Sequence, residues 1–353
     1  MNEYSFTKYM SCHFDRTDMS EANAIDAQHV ELTYADGTEA VTDLTLTIPN
    51  GELFGFLGAN GAGKTTTIKV LTTLLEPTGG TVTVNSYDVA DEPRAVRESI
   101  GYMAQETSVD LELTARENIQ FACEIYGVPA DERTARIDDL LDLVDLADVA
   151  GKPAKEFSGG MKKRLDAATA LVHEPPIVFL DEPTTGLDPK ARNRLWDYFE
   201  HINERGTTIF LTTQYLEEAD QLCDRIGVLR NGEIVASGSP AELKDRVGGA
   251  VLDIEIADPE ETLERAHRVA TETDVFDGTP IDRTETGLSI RSTAARQQGT
   301  ELLAALMDAG ITVTGFNIRD PTLDDVFLTI TDGNDVEVNG VDAEATATTE
   351  ATR

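Results

Sequence analysis

Apolar positions along this chain recur with two periods. From residue 23 to about 246, short β-rich runs alternate with amphipathic helical stretches, the pattern of an α/β domain with a largely parallel sheet. Leu53–Leu57, Ile100–Ala104, Ile177–Leu180 and Thr208–Thr213 are apolar runs that read as buried strands. Ile68, Leu71 and Leu75, with Val70 and Leu74, follow helical spacing until Pro77. Thr114 and Glu117 form a capping-box pattern that opens a helix running to about Tyr126. The next helix buries Ile137, Leu141 and Val144. A smaller unit follows: Leu252, Ile254 and Ile256 alternate with acids as in a half-buried strand, and Leu263, Ala266, Val269 and Ala270 share a helical face. A helix around Leu302, Leu303, Leu306 and Met307 then precedes a strand at Ile311–Phe316, which predicts a small split βαβ sandwich. The expected bounds are 23–247 for the first domain and 248–332 for the second. Residues 1–22 read as a disordered leader, with Met19 as a candidate start, and 333–353 as a solvated acidic tail.

Charge changes the picture. The 353 residues carry 65 Asp and Glu against 29 Lys and Arg, a formal net charge of −36. The acids are spread along helices, as in Asp138, Asp139, Asp142, Asp145 and Asp148, rather than confined to one tail. Such a surface suits concentrated salt and repels itself in dilute buffer, so the expectation is a halophilic source. It also argues against nucleic acid as partner. Cys12, Cys123 and Cys223 are far apart with no CxxC spacing, which indicates neither zinc nor a disulfide framework. No run of eighteen apolar residues exists, and the N-terminus lacks the apolar centre of a signal peptide. Any membrane role is expected to come through a partner, from the cytoplasmic side.

Candidate chemistry concentrates in two places. Gly58, Ala59, Asn60, Gly61, Ala62, Gly63, Lys64 and Thr65, followed by Thr66, match the P-loop pattern GxxxxGK[ST]. Its glycines let backbone N–H groups curl around phosphate oxygens, Lys64 supplies charge to the β- and γ-phosphates, and Thr65 offers a hydroxyl to Mg²⁺. The following helix N-terminus adds to anion binding. The second place is the apolar run that ends in Asp181 and Glu182. An acid at such a strand tip can hold Mg²⁺, which fits Asp181, and Glu182 is then placed to polarise an attacking water as general base.

Phe157-Ser158-Gly159-Gly160-Met161 resembles the LSGGQ signature of ABC ATPases, with Phe for Leu and Met for Gln. Ser158 suits a helix N-cap, and Gly159 and Gly160 would expose backbone N–H groups to an anion. Gln105, after a predicted strand, resembles the family's glutamine that touches Mg²⁺ and the attacking water. Asp188 in Gly186-Leu187-Asp188 resembles the D-loop acid, and Tyr34, on a predicted strand, the aromatic that stacks on adenine. The family's switch histidine is replaced by Gln214, which can still donate a hydrogen bond to the γ-phosphate during catalysis but cannot ionise near neutral pH. The stretches Gln214–Asp220, Gly159–Asp166 and Pro321–Leu328 are similar to the daunorubicin-resistance type of exporter ATPase.

The resemblance implies a P-loop ABC ATPase domain with a helical signature subdomain, plus a small α+β C-terminal domain. It implies ATP and Mg²⁺ as ligands and a homodimer that sandwiches two ATP head to tail. It further implies a separate transmembrane permease engaged near residues 104–125, and export of a drug or other amphiphile. The alternative is a non-transport ABC ATPase acting on ribosomes or DNA. A second cassette, long coiled coils or zinc sites would favour that alternative, and the sequence has none of them.

Overall fold

The computed structural model describes residues 23–331 apart from 248, 274, 275, 277 and 278. The expected leader and acidic tail lie outside the described residues. The described residues divide into two compact units: 23–56, 60–213 and 231–233 fall in the first, and 57–59, 214–230 and those from 234 to 331 in the second.

The first unit opens with a hairpin of two long strands, β1 (Asn23–Thr33) and β2 (Glu39–Pro49), joined by a loop in which the Tyr34 N–H bonds the Thr38 carbonyl. β3 (Leu53–Gly58) leads through the P-loop to α1 (Lys64–Leu71). Then come β4 (Gly79–Val84), β5 (Tyr87–Asp88), α2 (Pro93–Ser99) and β6 (Ile100–Met103). The helical insertion holds α3 (Ala115–Ile125) and α4 (Arg133–Leu143), and leads to α5 (Gly159–Thr169). β7 (Ile177–Asp181), α6 (Pro189–Glu204) and β8 (Thr208–Thr212) complete this unit.

Within it, β3, β8, β7 and β6 are consecutive neighbours and pair in parallel. β7 and β8 are buried at every position, as strands covered on both faces require. Phe210 of β8 packs against Phe54, Phe56 and Phe179 at ring separations of 5.7, 5.3 and 5.6 Å. Each such pair stabilises by about 0.5–1.5 kcal/mol beyond area burial, so the three strands that lead to the candidate site are fixed to one another. A separate antiparallel sheet of order β2-β1-β4-β5 was not legible in the alternating pattern.

Three element bounds differ from expectation. α1 ends at Leu71 rather than near Pro77, because Thr73 takes φ 61° and the Leu74 and Leu75 N–H groups fold back onto the Lys69 carbonyl. Tyr34 stands one residue past β1 in the hairpin loop rather than on a strand. The last predicted strand begins two residues later, because Ile311 closes the preceding helix end through its N–H to the Leu306 carbonyl.

The second unit contains α7 (Leu216–Leu222), the neighbouring strands β9 (Arg225–Arg230) and β10 (Glu233–Gly238), and α8 (Pro240–Val247). β11 (Ala250–Ile256), α9 (Pro259–Glu272), β12 (Ile281–Arg283), β13 (Gly287–Ser292), α10 (Ala295–Asp308) and β14 (Val313–Arg319) follow. Their antiparallel sheet has the order β12-β13-β11-β14, the connectivity of the ferredoxin-like split βαβ sandwich. Leu252, Ile254, Ala266, Ile290, Leu302 and Leu306 form its core. A last helix, α11 (Leu323–Thr331), packs on α8 and α7.

Candidate functional site

The candidate site is assembled where the strand tips of the first unit meet helix N-termini. Gly63 caps α1 with φ 110° and Gly61 takes φ 83°, left-handed conformations that a side chain would strain. A Cβ at Gly61 would meet nothing within 4 Å, so its requirement is backbone conformation rather than space. Lys64 opens α1 and is only 6% exposed. Burial pushes its ammonium pKa down, while Glu182 and then Asp181 push it back up. The lysine therefore lies in the field of both acids. Thr66, two residues on, shares a 3.0 Å hydrogen bond with the Tyr34 hydroxyl. Tyr34 is 37% exposed, so the structure ties its phenol to the P-loop helix while leaving part of the ring open.

Asp181 ends β7 fully buried and accepts a 2.6 Å bond from the Thr212 hydroxyl of β8. Glu182 follows with φ 50°, a left-handed backbone at a non-glycine residue. Its N–H is held by the Thr212 carbonyl at 3.0 Å and the Thr212 hydroxyl at 3.2 Å. Strained backbone that the surroundings over-determine is characteristic of functional positions. The Glu182 carboxylate accepts from the Gln105 amide at 3.1 Å and the Thr185 hydroxyl at 3.3 Å. Gln105 is in turn fixed from behind by the Lys163 ammonium, which donates to its carbonyl at 2.6 Å. Lys163 and Thr212 are part of this constellation, yet sequence reasoning missed both. Helical spacing from Ser158 carried no signal that Lys163 would reach Gln105, and Thr212 was visible only as the end of an apolar run.

Among the described residues, no group of three or more His, Cys, Asp or Glu is placed to hold a metal. The hard-oxygen donors available to a cation here are the buried Asp181 carboxylate at the tip of β7 and the Thr65 hydroxyl in the first turn of α1, a sparse set. Such a set fits Mg²⁺ that keeps water and phosphate oxygens among its ligands, and would not suit a metal needing a protein cage.

Ser158 caps α5 by accepting from the Met161 N–H at 3.3 Å, and Asp188 caps α6 by accepting from the Ala191 N–H at 3.0 Å. The two glycines of the signature segment differ. Gly159 is exposed with nothing within 4 Å of an added Cβ, whereas Gly160 is buried and its Cβ would sit 2.8 Å from the Ala191 side chain. Gly159 can therefore present its N–H to a ligand, while Gly160 serves the packing of α5 on α6. Gly160→Ala should lower stability by about 1–3 kcal/mol through overpacking, and Gly159→Ala by well under half of that, as thermal melts of both variants would show. Equal melting temperatures would remove this distinction. Gln214 belongs to the second unit and is exposed two residues before α7, whose N-cap is Tyr215 without a side-chain cap bond.

Comparison with known proteins follows the same division. The ABC transporter family matches residues 41–185, and the DrrA1-3-like ATP-binding protein C-terminal domain matches residues 238–331. The chain is 41% identical to the daunorubicin resistance ATP-binding protein DrrA3 of Streptomyces coeruleorubidus over 89% of this chain and 98% of that one. It is 33% identical to the linearmycin resistance ATP-binding protein LnrL of Bacillus subtilis over 87% and 98%. A solved ATP-binding subunit of an ABC transporter superposes with TM-score 0.59 at 31% identity, covering 64% of this chain and 93% of that chain. A dimeric cassette in a post-hydrolysis state with ADP and Pi gives 0.57 at 28% identity, covering 61% and 98%.

Proposed function

Because this chain belongs to the ABC transporter ATP-binding proteins of the daunorubicin-resistance type, we propose that its ATP hydrolysis powers export of a drug-like or other amphiphilic compound through a separate permease. The observation that carries the mechanism is the hydrogen-bonded set Gln105–Glu182–Thr212–Asp181 beside Lys64. Glu182 takes the proton of a water that attacks the γ-phosphorus, and Gln105 orients both carboxylate and water. Lys64 and the P-loop N–H groups stabilise charge on the phosphate oxygens. Thr65 and Asp181, with Gln105 nearby, would hold Mg²⁺, which when bound neutralises charge on the β- and γ-phosphates.

Two copies bind two ATP head to tail, with exposed Ser158 and Gly159 of each closing on the nucleotide held by the other. The dimeric form of the ADP- and Pi-bound relative supports this reading. We take the nucleotide-binding domain as 23–247 and the C-terminal domain as 248–332; by compactness, 57–59, 214–230 and 234–247 group with the second unit.

No helix among the described residues is long and apolar enough to cross a membrane. We place the protein on the cytoplasmic face, held by the permease. Phe121 and Ile125, four positions apart on α3, are 58% and 65% exposed, and Tyr126 just past the helix is 40% exposed. This apolar patch within the helical insertion suits an amphipathic permease helix. Affinity purification of the tagged chain from membranes should bring down a multispanning protein. Phe121→Glu should release it while basal ATPase stays within about twofold, since surface changes away from the site are nearly neutral. Recovery of ribosomes or DNA instead would overturn the transport reading.

The net charge of −36 carries the halophile proposal. Turnover and stability should keep rising from 0.1 M to molar KCl, beyond the roughly 10 Å screening length already reached at 0.1 M. A flat profile above 0.1 M would end it.

A further inference from the structure

Gln105 lies on a segment with no regular structure of its own. β6 ends at Met103, and no helix or strand follows before residue 114. Gln105, Glu106, Thr107 and Ser108 are all exposed. A stretch with so few buried contacts takes its geometry from the side chains that reach it. Two such side chains come from α5, within the same compact unit. The Lys163 ammonium donates to the Gln105 carbonyl at 2.6 Å. Asp166 accepts from the Ser108 hydroxyl at 2.6 Å and from the Ser108 N–H at 3.2 Å. Three positions apart, Lys163 and Asp166 share one face of the helix. They therefore grip both ends of the stretch 105–108. The Lys163 bond is charge-assisted, and Asp166 is only 2% exposed, so water competes poorly for the bonds it accepts.

Lys163 also stands in the field of the acids of the site. Burial pushes its ammonium pKa down, while Asp166, Asp181 and Glu182 push it back up. It could therefore act on the chemistry in two ways, by setting the geometry of Gln105 or by its charge directly on Glu182. The hydrogen bonds favour the first. Lys163 bonds Gln105, and the Gln105 amide in turn donates to the Glu182 carboxylate at 3.1 Å. Glu182 has supports of its own: Thr212 holds its backbone N–H, and the Thr185 hydroxyl donates to its carboxylate. Gln105 is the member of the pair whose place depends on α5.

We propose that Lys163 is a positioning residue for ATP hydrolysis that acts through Gln105. Together with Asp166 it binds the 105–108 stretch to α5, so that the Gln105 amide meets the Glu182 carboxylate and the attacking water in one geometry. Releasing the Gln105 carbonyl lets that amide wander, and misplacement by about 1 Å at a reacting centre costs up to roughly 10²-fold in rate. This rests on the reading of Glu182 as the base and of Gln105 as the side chain that orients it.

The test is steady-state ATPase on the full chain for Lys163→Met, Lys163→Ala, Lys163→Arg, Gln105→Ala and the Lys163→Met/Gln105→Ala pair, each checked for folding by circular dichroism. Lys163→Met should lower kcat about tenfold with KM for ATP within about twofold, the mark of a contact that matters in the transition state. Its effect should shrink to under about twofold in the Gln105→Ala background, where no amide is left to position. Lys163→Arg keeps a charged donor and should recover most of the loss. Lys163→Ala puts the best helix former at the site and should reproduce the kcat defect if Lys163→Met fails to fold. Multiplicative effects of Lys163→Met and Gln105→Ala would overturn the proposal and assign Lys163 to a direct charge effect on Glu182. Wild-type kcat in whichever of Lys163→Met and Lys163→Ala folds would also overturn it. Wild-type turnover in Gln105→Ala would overturn the underlying reading of Gln105 instead.

Discussion

Replacing Glu182 by glutamine should slow ATP hydrolysis by roughly 10²–10⁴-fold, the usual worth of a positioned general base. ATP should still bind, and the ATP-bound dimer should accumulate and elute earlier on size exclusion. The amide keeps the shape of the side chain and an oxygen for the Gln105 and Thr185 bonds. It also leaves the left-handed backbone held by Thr212 untouched, so what is lost is basicity alone. Glu182 is partly buried beside Lys64 and Asp181, where removing one negative charge eases rather than hinders binding of a polyanion. Turnover near wild type would show that another group accepts the proton.

Much of this architecture was legible in the chain because its signals are local. The P-loop announces itself by glycines at fixed spacing, and the structure accounts for two of them by φ values of 83° and 110°. β7 and β8 were visible as apolar runs because strands buried on both faces need no alternation. The split βαβ sandwich could be read from one alternating strand and two amphipathic helices. Long-range relations were not legible. Nothing in the local pattern says that Lys163 reaches the Gln105 carbonyl 58 positions away, or that Thr212 serves Asp181 and Glu182 at once. The same limit hid the difference between Gly159 and Gly160, since only packing against Ala191 separates them. Asp325 read as one acid among 65 until the arginines from β13 and β14 surrounded it.

The largest effect on nucleotide affinity should come from Lys64→Met, which keeps the length and removes the charge. ATP should bind about 10²–10³-fold more weakly, within the 2–5 kcal/mol that losing one partner of a buried charge-assisted contact costs. Two terms combine here. The phosphate oxygens lose a cation, and Asp181 and Glu182 then face them with nothing on the P-loop side to offset their charge. The terms separate in a double variant. If repulsion from the acids matters, Glu182→Gln added to Lys64→Met should recover about tenfold in affinity, because one unbalanced charge costs on the order of 1 kcal/mol or more at this effective dielectric. In the presence of Lys64, the same substitution should change affinity only a few-fold. Lys64→Arg should fail to restore binding despite its charge, because the planar guanidinium cannot replace a compact ammonium that is only 6% exposed. Calorimetric titration of ATP into the four variants gives all these numbers. A Lys64→Met affinity within threefold of wild type would mean that the backbone N–H groups alone hold the phosphates, and Lys64 would leave the binding site.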